Sequence, residues 1–265
     1  MTAISGRRAL VTGGASGIGA ALSAALIARG ANVLIADHDA HAAEAAATRI
    51  GSDWVALDVT DAAALAQVAD EEEAAGRAPD LLVLNAGVGP FGSLAEMTRS
   101  DWDWMLGVNL RGVVDCVSAF LPKIVDSRRS GHVVMTASMA ALAPSPGLGV
   151  YAATKAGVLA FGEVLSAELA GADSSVGVTV ALPGPTPTNI GSSQRAREDR
   201  GGLKDRELEE TGFEWISWRT PEDVAARILN AVETDSLYAP THPELLPRFD
   251  ERVAQIRAAF LNAAT

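Results

Sequence analysis

A glycine-rich turn joining a short apolar run to a helical stretch is the feature that most constrains how this chain folds. The run Arg7–Thr12 has the composition of a buried strand, and the turn Thr12–Gly19, with the sequence TGGASGIG, leads into a helical stretch at Gly17–Arg29. Glycines let backbone N–H groups approach a pyrophosphate closely, and the amino end of the following helix attracts anions. The spacing predicts a dinucleotide-binding unit, with a glycine-rich helix cap that binds no ligand as the alternative.

Short apolar runs alternate with longer helical stretches over most of the chain. The first four runs are continuously apolar, as expected for parallel strands that helices cover on both faces. This alternation predicts an α/β fold, a Rossmann-type doubly wound, seven-stranded parallel sheet in a single domain over residues 1–265. The predicted strands are Arg7–Thr12, Asn32–Ala36, Trp54–Leu57, Leu81–Leu84, His132–Thr136, Val176–Ala181 and Leu237–Ala239. The predicted helices are Gly17–Arg29, Asp39–Ile50, Asp61–Ala75, Asp101–Val125, Tyr151–Ala170 and Leu245–Phe260.

Charge and residue usage exclude several classes of protein. The 33 acidic and 21 basic side chains give a formal net charge of −12, which argues against nucleic acid or an anionic membrane as partner. Cys116 is the only cysteine, so no internal disulfide or cysteine metal cluster is expected. His242 has no second ligand at metal spacing, and His38 and His41 lie on a predicted exposed helix, so no metal site is expected. No apolar run approaches the roughly 18 residues of a membrane span and no signal core is present, which predicts a cytoplasmic protein.

Two carboxylates end predicted strands on the cofactor side of the sheet. Asp37 follows Gly19 by 18 residues, where a carboxylate can accept both hydroxyls of an adenosine ribose and would repel a 2′-phosphate. NAD is therefore favoured over NADP as the cofactor. Asp58 ends the third strand and could reach the adenine amino group. Each carboxylate could alternatively cap the helix that follows it.

A tyrosine and a lysine lie four positions apart in a predicted helix. Tyr151 and Lys155 share one helix face at this spacing, although the chain has only two tyrosines and three lysines. A tyrosine that exchanges protons near neutral pH needs its pKa lowered by about 3 units, roughly 4 kcal/mol. A lysine ammonium about 4.5 Å away supplies on the order of 3.5 kcal/mol at an effective dielectric near 20. The pair thus predicts an acid–base site, with a surface pair of no catalytic role as the alternative.

Together with residues elsewhere, this pair makes the chain resemble the classical short-chain dehydrogenase/reductase family. The resemblance covers the chain from about Arg7 to Thr188. Ser138 lies 13 residues before Tyr151, which is the spacing of the family's serine and tyrosine. The matching pieces are Thr12–Gly19, Asp37, Asp58, Asn85-Ala86-Gly87, Asn109, Ser138, Tyr151 with Lys155, and Pro183-Gly184.

The resemblance implies a role for each of four catalytic residues. Ser138 would hydrogen-bond the substrate oxygen, Tyr151 would exchange a proton with it, and Lys155 would lower the tyrosine pKa and bind the nicotinamide ribose. Asn109 would hold a water that joins Lys155 to solvent. Simpler alternatives are that Ser138 caps a loop and that Asn109 satisfies strand backbone. The residues implied to bind NAD are Gly13, Ser16, Gly17, Ile18, Gly19, Asp37, Asp58, Val59, Asn85, Ala86, Gly87, Tyr151, Lys155, Pro183, Gly184, Thr186 and Thr188.

The walls expected around the site are mostly apolar, which favours a hydrophobic, bulky secondary alcohol or its ketone as substrate. A flap at about residues 189–218 is expected to cover this pocket or to dock as an exposed helical excursion, and Arg195 or Arg197 could reach in from it. The residues expected to bind substrate are Ser138, Met139, Leu148, Tyr151 and Phe213. Further expected walls are Phe91, Ala143, Pro144, Trp215 and Trp218.

The predicted function is hydride transfer between NAD(H) and such an alcohol or ketone. An enoyl reductase would separate its tyrosine and lysine by seven residues rather than four. The non-enzymatic alternative is an NAD-binding sensor or scaffold without turnover, a class that commonly lacks the serine, tyrosine or lysine. The family also implies a homodimer or homotetramer that forms through the helices Asp101–Val125 and Tyr151–Ala170.

Overall fold

Seven parallel strands form one twisted sheet in the computed structural model, which describes residues 2–126, 129–197, 201–205 and 217–263. The strand order is β3-β2-β1-β4-β5-β6-β7, so the chain reverses its direction of winding between β1 and β4. The predicted Rossmann-type sheet is therefore confirmed. The strands are β1 (Arg8–Thr12), β2 (Asn32–Asp37), β3 (Asp53–Ala56), β4 (Leu81–Leu84), β5 (Gly131–Thr136), β6 (Val176–Leu182) and β7 (Tyr238–Pro240).

Helices cover both faces of this sheet. One core packs the third, fifth and seventh helices against one face, and a second core packs the first, second and eighth against the other. The helices are α1 (Gly17–Ala28), α2 (Ala40–Ile50), α3 (Ala62–Ala74), α4 (Arg99–Leu106), α5 (Gly112–Asp126), α6 (Met139–Leu142), α7 (Gly149–Gly171), α8 (Pro221–Glu233) and α9 (Leu246–Ala263). Strand and helix ends differ from the predicted ones by at most three residues, because end residues fray between turn and element.

The helix predicted at Asp101–Val125 is interrupted. A π-helical turn at Gly107–Arg111 separates α4 from α5, and the three segments run on without a loop between them. A π turn contains one residue more than an α-helical turn, so it rotates the side chains inside it relative to those of the flanking helix. Asn109, one of the predicted catalytic residues, lies in this turn and is fully buried.

The same helical stretch corrects the expectation that no apolar segment reaches the length of a membrane span. Residues Arg99–Asp126 have the length and composition of one, with a mean hydropathy of 1.3 in an 18-residue window. Scattered charges such as Asp101 and Arg111 interrupt the apolar run, and so conceal this property in the sequence. Cys116 and Phe120 pack into the core between the stretch and the sheet, which accounts for the apolar composition.

Candidate active site

A cavity of about 450 Å³ opens at the carboxyl ends of the strands, where the winding reverses between β1 and β4. Open α/β sheets bind ligands at this point, because the loops that leave neighbouring strands diverge there. The cavity brings together the glycine-rich turn, the ends of β2 to β6 and the start of α7. The predicted residues that line it are Gly13, Ser16, Gly17, Ile18, Asp37, Asp58, Val59, Asn85, Ala86, Gly87, Ser138, Met139, Leu148, Tyr151, Lys155, Pro183, Gly184, Thr186 and Thr188. Gly19 and Asn109 support the site from behind its lining.

The glycines of the turn are required by close contacts with the loops after β4 and β6. Gly13 has a φ of +61°, and a Cβ at this position would lie 2.8 Å from the Cα of Ala86. Gly17 has a φ of +51°, and a Cβ there would lie 2.9 Å from a methyl carbon of Thr188. Any larger residue would therefore push apart three segments that line the cavity.

The amino end of α1 is suited to an anion. Its N-cap residue is Ser16, whose side chain makes no capping hydrogen bond within the described chain. The first backbone N–H groups of a helix lack intrahelical partners, and the helix dipole adds a partial positive charge there. Ser16, Gly17 and Ile18 line the cavity at this end, so the turn fits a pyrophosphate group.

Thr12 and Asn85 fix the turn to the loop that follows β4. The Thr12 hydroxyl accepts the backbone N–H groups of Asn85 at 3.0 Å and of Ala86 at 3.2 Å. The Asn85 amide in turn donates to the carbonyl of Gly13 at 3.3 Å. These bonds hold two loops from different strands at a fixed separation, which defines the floor of the cavity.

Asp37 lies at the end of β2 with its carboxylate held by three donors. It accepts the N–H groups of Ala15 at 3.1 Å and Asp39 at 3.2 Å, and Nδ1 of His38 lies 3.1 Å from it. Burial would raise the pKa of Asp37, but these bonds together lower it. The contact with the carboxylate also raises the pKa of His38, although burial opposes this. His38 is exposed, as expected, but it precedes α2 rather than lying on it, and its ring pairs with Asp37.

The alternative that Asp37 and Asp58 cap helices is also wrong. The N-cap of α2 is Asp39, which accepts the N–H of Ala42 at 3.0 Å, and the N-cap of α3 is Asp61. Asp58 instead accepts the backbone N–H and the hydroxyl of Thr60, at 2.9 and 2.8 Å. Both predicted cofactor carboxylates therefore remain at the cavity wall and are not used to start the helices.

Ser138, Tyr151 and Lys155 converge on the other side of the cavity. Ser138 caps α6 by accepting the N–H of Ala140 at 3.1 Å, and its hydroxyl is near enough to the Tyr151 phenol to act on the pKa of that group. The ammonium of Lys155 lies 5.7 Å from the centre of the Tyr151 ring. It donates to the carbonyl of Thr136, at the end of β5, over 2.7 Å. The capping role of Ser138 and its effect on the tyrosine therefore coexist.

Burial dominates the ionisation of the tyrosine and the lysine. It raises the pKa of the Tyr151 phenol above its ordinary value of 10.0, and the hydroxyl of Ser138 only partly opposes this. It also lowers the pKa of Lys155 to about 8. The lowering of the tyrosine pKa predicted from the sequence is not found in the protein alone. Burial removes water from the phenolate and destabilises it by more than the neighbouring Ser138 stabilises it.

Asn109 holds the loop after β4 against α7. Its side-chain oxygen accepts the N–H of Val88 at 2.8 Å, and its amide donates to the Val88 carbonyl at 2.8 Å and to the hydroxyl of Thr154 at 3.2 Å. A Cβ built on Gly87 would lie 3.3 Å from both the Asn109 oxygen and the Lys155 ammonium. Asn109 thus satisfies backbone groups, as one alternative held, and it lies beside the lysine.

His242 supports the turn Pro183–Thr188, a role that no pattern in the sequence indicates. His242 is fully buried at the end of β7, and its Nδ1 accepts the N–H of Gly184 at 3.0 Å. Its Nε2 bonds to the carbonyl of Pro185, also at 3.0 Å. Burial lowers the pKa of His242, which keeps the ring neutral with its proton on Nε2. From the sequence His242 can be assessed only as a metal ligand, because Gly184 lies 58 positions earlier in the chain and nothing in the sequence links the two residues.

The substrate end of the cavity has mostly apolar walls. Of the predicted walls, Phe91, Met139, Ala143, Leu148 and Trp218 line it, whereas Pro144 does not. Phe213 and Trp215 lie outside the described residues. Lining residues that sequence reasoning missed include His38, Trp104, Val108, Ile190, Leu245 and Arg248. No motif marks them, since they lie on elements whose packing against the cavity is set by tertiary contacts.

The described part of the flap is anchored by Asp101. This carboxylate is fully buried, ion-paired with Arg197 at 2.6 Å, and accepts the N–H of Gly202 at 2.8 Å. The guanidinium of Arg197 also lies 4.9 Å from the ring centre of Trp104. Arg197 reaches the cavity, as foreseen, but with its charge balanced by a buried carboxylate. Arg195 has no described side chain.

Comparisons with known proteins agree with this geometry. The family model for short chain dehydrogenases matches residues 7–199. C alpha-dehydrogenase of Sphingobium sp. strain SYK-6 is 32% identical over 255 residues, covering 89% of this chain and 81% of the relative. D-threitol dehydrogenase of Mycolicibacterium smegmatis is 34% identical over 228 residues, 84% of each chain. The structure of a short chain dehydrogenase/reductase from Burkholderia phymatum in complex with NAD has a TM-score of 0.88 and 29% identity, covering 98% of this chain and 97% of that one.

Proposed function

Because this chain belongs to the short-chain dehydrogenase/reductase family, we propose that it is an NAD-dependent alcohol dehydrogenase or ketone reductase. The observation that carries the proposal is the convergence of Ser138, Tyr151 and Lys155 in the cavity that the glycine-rich turn also lines. An NAD-binding sensor or scaffold would have no use for a hydroxyl, a phenol and an ammonium gathered at one cavity. The proposed catalytic residues are these three together with Asn109.

Each residue has a chemical task in the proposed reaction. In the oxidative direction the phenolate of Tyr151 takes the hydroxyl proton of the alcohol, and the hydroxyl of Ser138 donates a hydrogen bond to the same oxygen. A bound nicotinamide would supply the acceptor for the hydride that leaves the carbon bearing this oxygen. Lys155 provides a positive charge beside the phenolate. Asn109, which lies next to the lysine, is the proposed start of a proton path to solvent.

The cofactor preference that we propose is NAD over NADP. The carboxylate of Asp37 is held in place by backbone N–H groups of Ala15 and Asp39, and its lowered pKa keeps it charged at neutral pH. A fixed negative charge suits ribose hydroxyls and repels a phosphate. The likeness to an NAD complex supports a nicotinamide cofactor, and the choice between NAD and NADP rests on Asp37.

The proposed substrate is a hydrophobic, bulky secondary alcohol or its ketone. Aromatic and aliphatic side chains, among them Phe91, Trp104 and Trp218, line the end of the cavity next to Tyr151. The positive charge of Arg197 is balanced by Asp101 and does not offer an isolated site for a carboxylate. We expect aryl-substituted carbinols to be oxidised at least tenfold more efficiently than hydroxy acids, and the reverse order would overturn this substrate class.

We also propose that the protein acts in the cytoplasm as a homodimer or homotetramer. The helical stretch from α4 to α5 and helix α7 are the expected contact, as in the family. Val164 on α7 supports this, because it is a large apolar side chain that is 56% exposed. Light scattering that gives the mass of a single chain would contradict the oligomer.

A spectrophotometric screen of secondary alcohols with NAD and NADP, run on the wild type and on Tyr151→Phe, tests the function. Loss of the phenol oxygen should lower kcat at least about 100-fold, the usual contribution of a general acid–base group. The matched control is Tyr238→Phe, since Tyr238 is the only other tyrosine and its hydroxyl bonds to Glu163 at the surface. Undiminished turnover in Tyr151→Phe would overturn the proposed chemistry, and NAD binding without turnover on any alcohol would favour the sensor.

A further inference from the structure

Helix α9 is an 18-residue helix without a buried residue, and it carries large apolar side chains in solvent. Leu246, Val253, Ile256 and Phe260 are between 43% and 75% exposed. Such residues on one helix face mark a contact surface rather than a solvated end of the chain. The rest of the protein gives the helix a fixed position, because Arg252 donates to the carbonyls of Ala141 and Leu142 at 2.9 Å each.

The large apolar residues of α9 other than Leu261, together with Ala263, follow the spacing of a two-helix seam. Successive members are three, four, three, four and three residues apart, which is the pattern that keeps one stripe facing a partner helix over several turns. The helix is about 27 Å long at 1.5 Å per residue, so the stripe extends along its whole length. This seam consists of Leu246, Phe249, Val253, Ile256, Phe260 and Ala263.

The charges beside the seam select the partner and its direction. Two antiparallel copies of α9 can align Leu246 with Ala263, Phe249 with Phe260, and Val253 with Ile256, so that every seam residue meets an apolar one. In that alignment Asp250 of one copy flanks Arg257 of the second copy, and the two-fold axis repeats this pair. A parallel alignment would instead set Arg252 of one copy against Arg257 of the other, and so bring like charges together.

We propose that α9 is a homotypic docking surface, on which two copies of this chain associate through an antiparallel α9–α9 pair with Asp250 opposite Arg257. This surface is separate from the contact through α5 and α7 that the proposed oligomer uses. The pairing therefore joins two chains, or two dimers formed through the other contact. It does not depend on the proposed dehydrogenase activity.

The residues at the start of α9 form part of the active site, and the residues that Arg252 contacts lie on a helix that borders it. Leu245 and Arg248 precede and begin the helix, and both line the catalytic cavity. Ala141 and Leu142, which accept hydrogen bonds from Arg252, belong to the short helix that Ser138 starts. Fixing α9 against a second copy thus fixes part of the substrate wall.

Light scattering after size exclusion on the full-length protein tests the pairing, with far-UV circular dichroism as a check that each variant is folded. Ile256→Glu adds a charge at the centre of the seam and should halve the mass of the wild-type assembly. Asp250→Arg and Arg257→Asp should each do the same by setting like charges together. The double variant Asp250→Arg/Arg257→Asp should restore the wild-type mass, because the pair is rebuilt with its signs exchanged.

Glu251→Arg is the matched control, since it makes the same change of charge one position away on the face opposite the seam. It should leave the mass unchanged. A wild-type protein with the mass of one chain, a mass that Ile256→Glu leaves unaltered, or failure of the double variant to recover would each overturn the proposal. Flotation with vesicles of phosphatidylcholine and phosphatidylglycerol tests the competing occupant: binding that Ile256→Glu abolishes without any change of mass would assign the seam to a lipid surface instead.

Discussion

Nδ1 of His242 accepts the backbone N–H of Gly184 at 3.0 Å, and this bond ties the end of β7 to the turn after β6. The hydroxyl of Thr241 lies 2.7 Å from the same nitrogen, and Nε2 reaches the carbonyl of Pro185. A Cβ on Gly184 would lie 2.6 Å from the imidazole ring, so the ring is packed against the turn as well as bonded to it. The position of Pro183–Thr188, and of any cofactor atoms that it contacts, therefore depends on a neutral histidine.

We predict that His242→Ala raises the KM for NAD about tenfold and changes kcat much less. A buried hydrogen bond left without its partner costs on the order of 1–3 kcal/mol, and here the cost falls on a cofactor-binding turn. His242→Asn keeps an acceptor near Gly184 and should recover part of the affinity. His41→Ala, on the exposed side of α2, is the control for loss of an imidazole. Equal KM values in His242→Ala and the wild type would contradict a positioning role.

Asp101 is expected to hold the flap in place through its buried ion pair with Arg197. We predict that Asp101→Asn destabilises the protein by about 3 kcal/mol, because it removes the negative half of a buried ion pair with Arg197. It should also raise the KM for bulky alcohols, because the N–H of Gly202, in the flap beside the substrate cavity, loses a charged acceptor. Urea unfolding and steady-state kinetics measure the two effects. Asp103→Asn is the control, because its pair with Arg99 is exposed to solvent and should contribute less than about 1 kcal/mol.

Local patterns in the sequence were sufficient for the sheet and for one part of the site. Strand periodicity and the glycine turn depend on neighbouring residues, and Tyr151 and Lys155 are brought together by one helical turn. Contacts between distant segments could not be read in this way. His242 contacts Gly184 from 58 positions further along the chain. The π turn that directs Asn109 into the core has no residue pattern that distinguishes it from an ordinary helix. The pKa of Tyr151 was misjudged for the same reason: a charge four residues away is visible in sequence, whereas burial is a property of the fold.

The direction of the Tyr151 pKa predicts a distinct pH profile for alcohol oxidation. Because burial raises this pKa above 10.0, the phenolate fraction increases through the whole range from pH 6 to 9. We expect kcat/KM for the alcohol to rise up to about tenfold per pH unit, and reduction of the ketone, which uses the protonated phenol, to change little. A plateau of the oxidative profile near pH 7 would show instead that the pKa is lowered, as the sequence alone suggested.

Asp37 and His38 together predict a pH-dependent cofactor preference. Asp37→Ser should lower kcat/KM for NAD and raise it for NADP, each by about tenfold or more, since the charge that repels a 2′-phosphate is removed. In the wild type the imidazolium of His38, 3.1 Å from this carboxylate, forms as the pH falls. Discrimination against NADP should then be weaker at pH 6 than at pH 8, but not in Asp37→Ser. Asp39→Ser removes the neighbouring carboxylate and keeps a residue that can cap α2, so it should not show this effect and serves as control.

Acid sensitivity of the fold should arise in part from His132. This residue is fully buried in β5 between the hydroxyls of Thr2 and Thr179, at 3.0 and 2.8 Å. Burial lowers its pKa to about 4, although the carboxylate of Asp235 opposes the shift from 3.7 Å away. The folded pKa lies below the unfolded value of about 6.5, so protons bind preferentially to the unfolded chain. The stability that the neutral ring contributes is complete above pH 6.5 and is lost as the pH falls toward 4.

We therefore predict a loss of roughly 3 kcal/mol from this group between pH 7 and pH 4, at about 1.4 kcal/mol per pH unit within the window. Urea unfolding at pH 7.0 and 4.5 should show a smaller difference in His132→Gln than in the wild type. His242, whose pKa is also lowered by burial, keeps part of the dependence in that variant. His41→Gln should behave as the wild type, and an unchanged pH dependence in His132→Gln would mean that the imidazole becomes protonated without unfolding the chain.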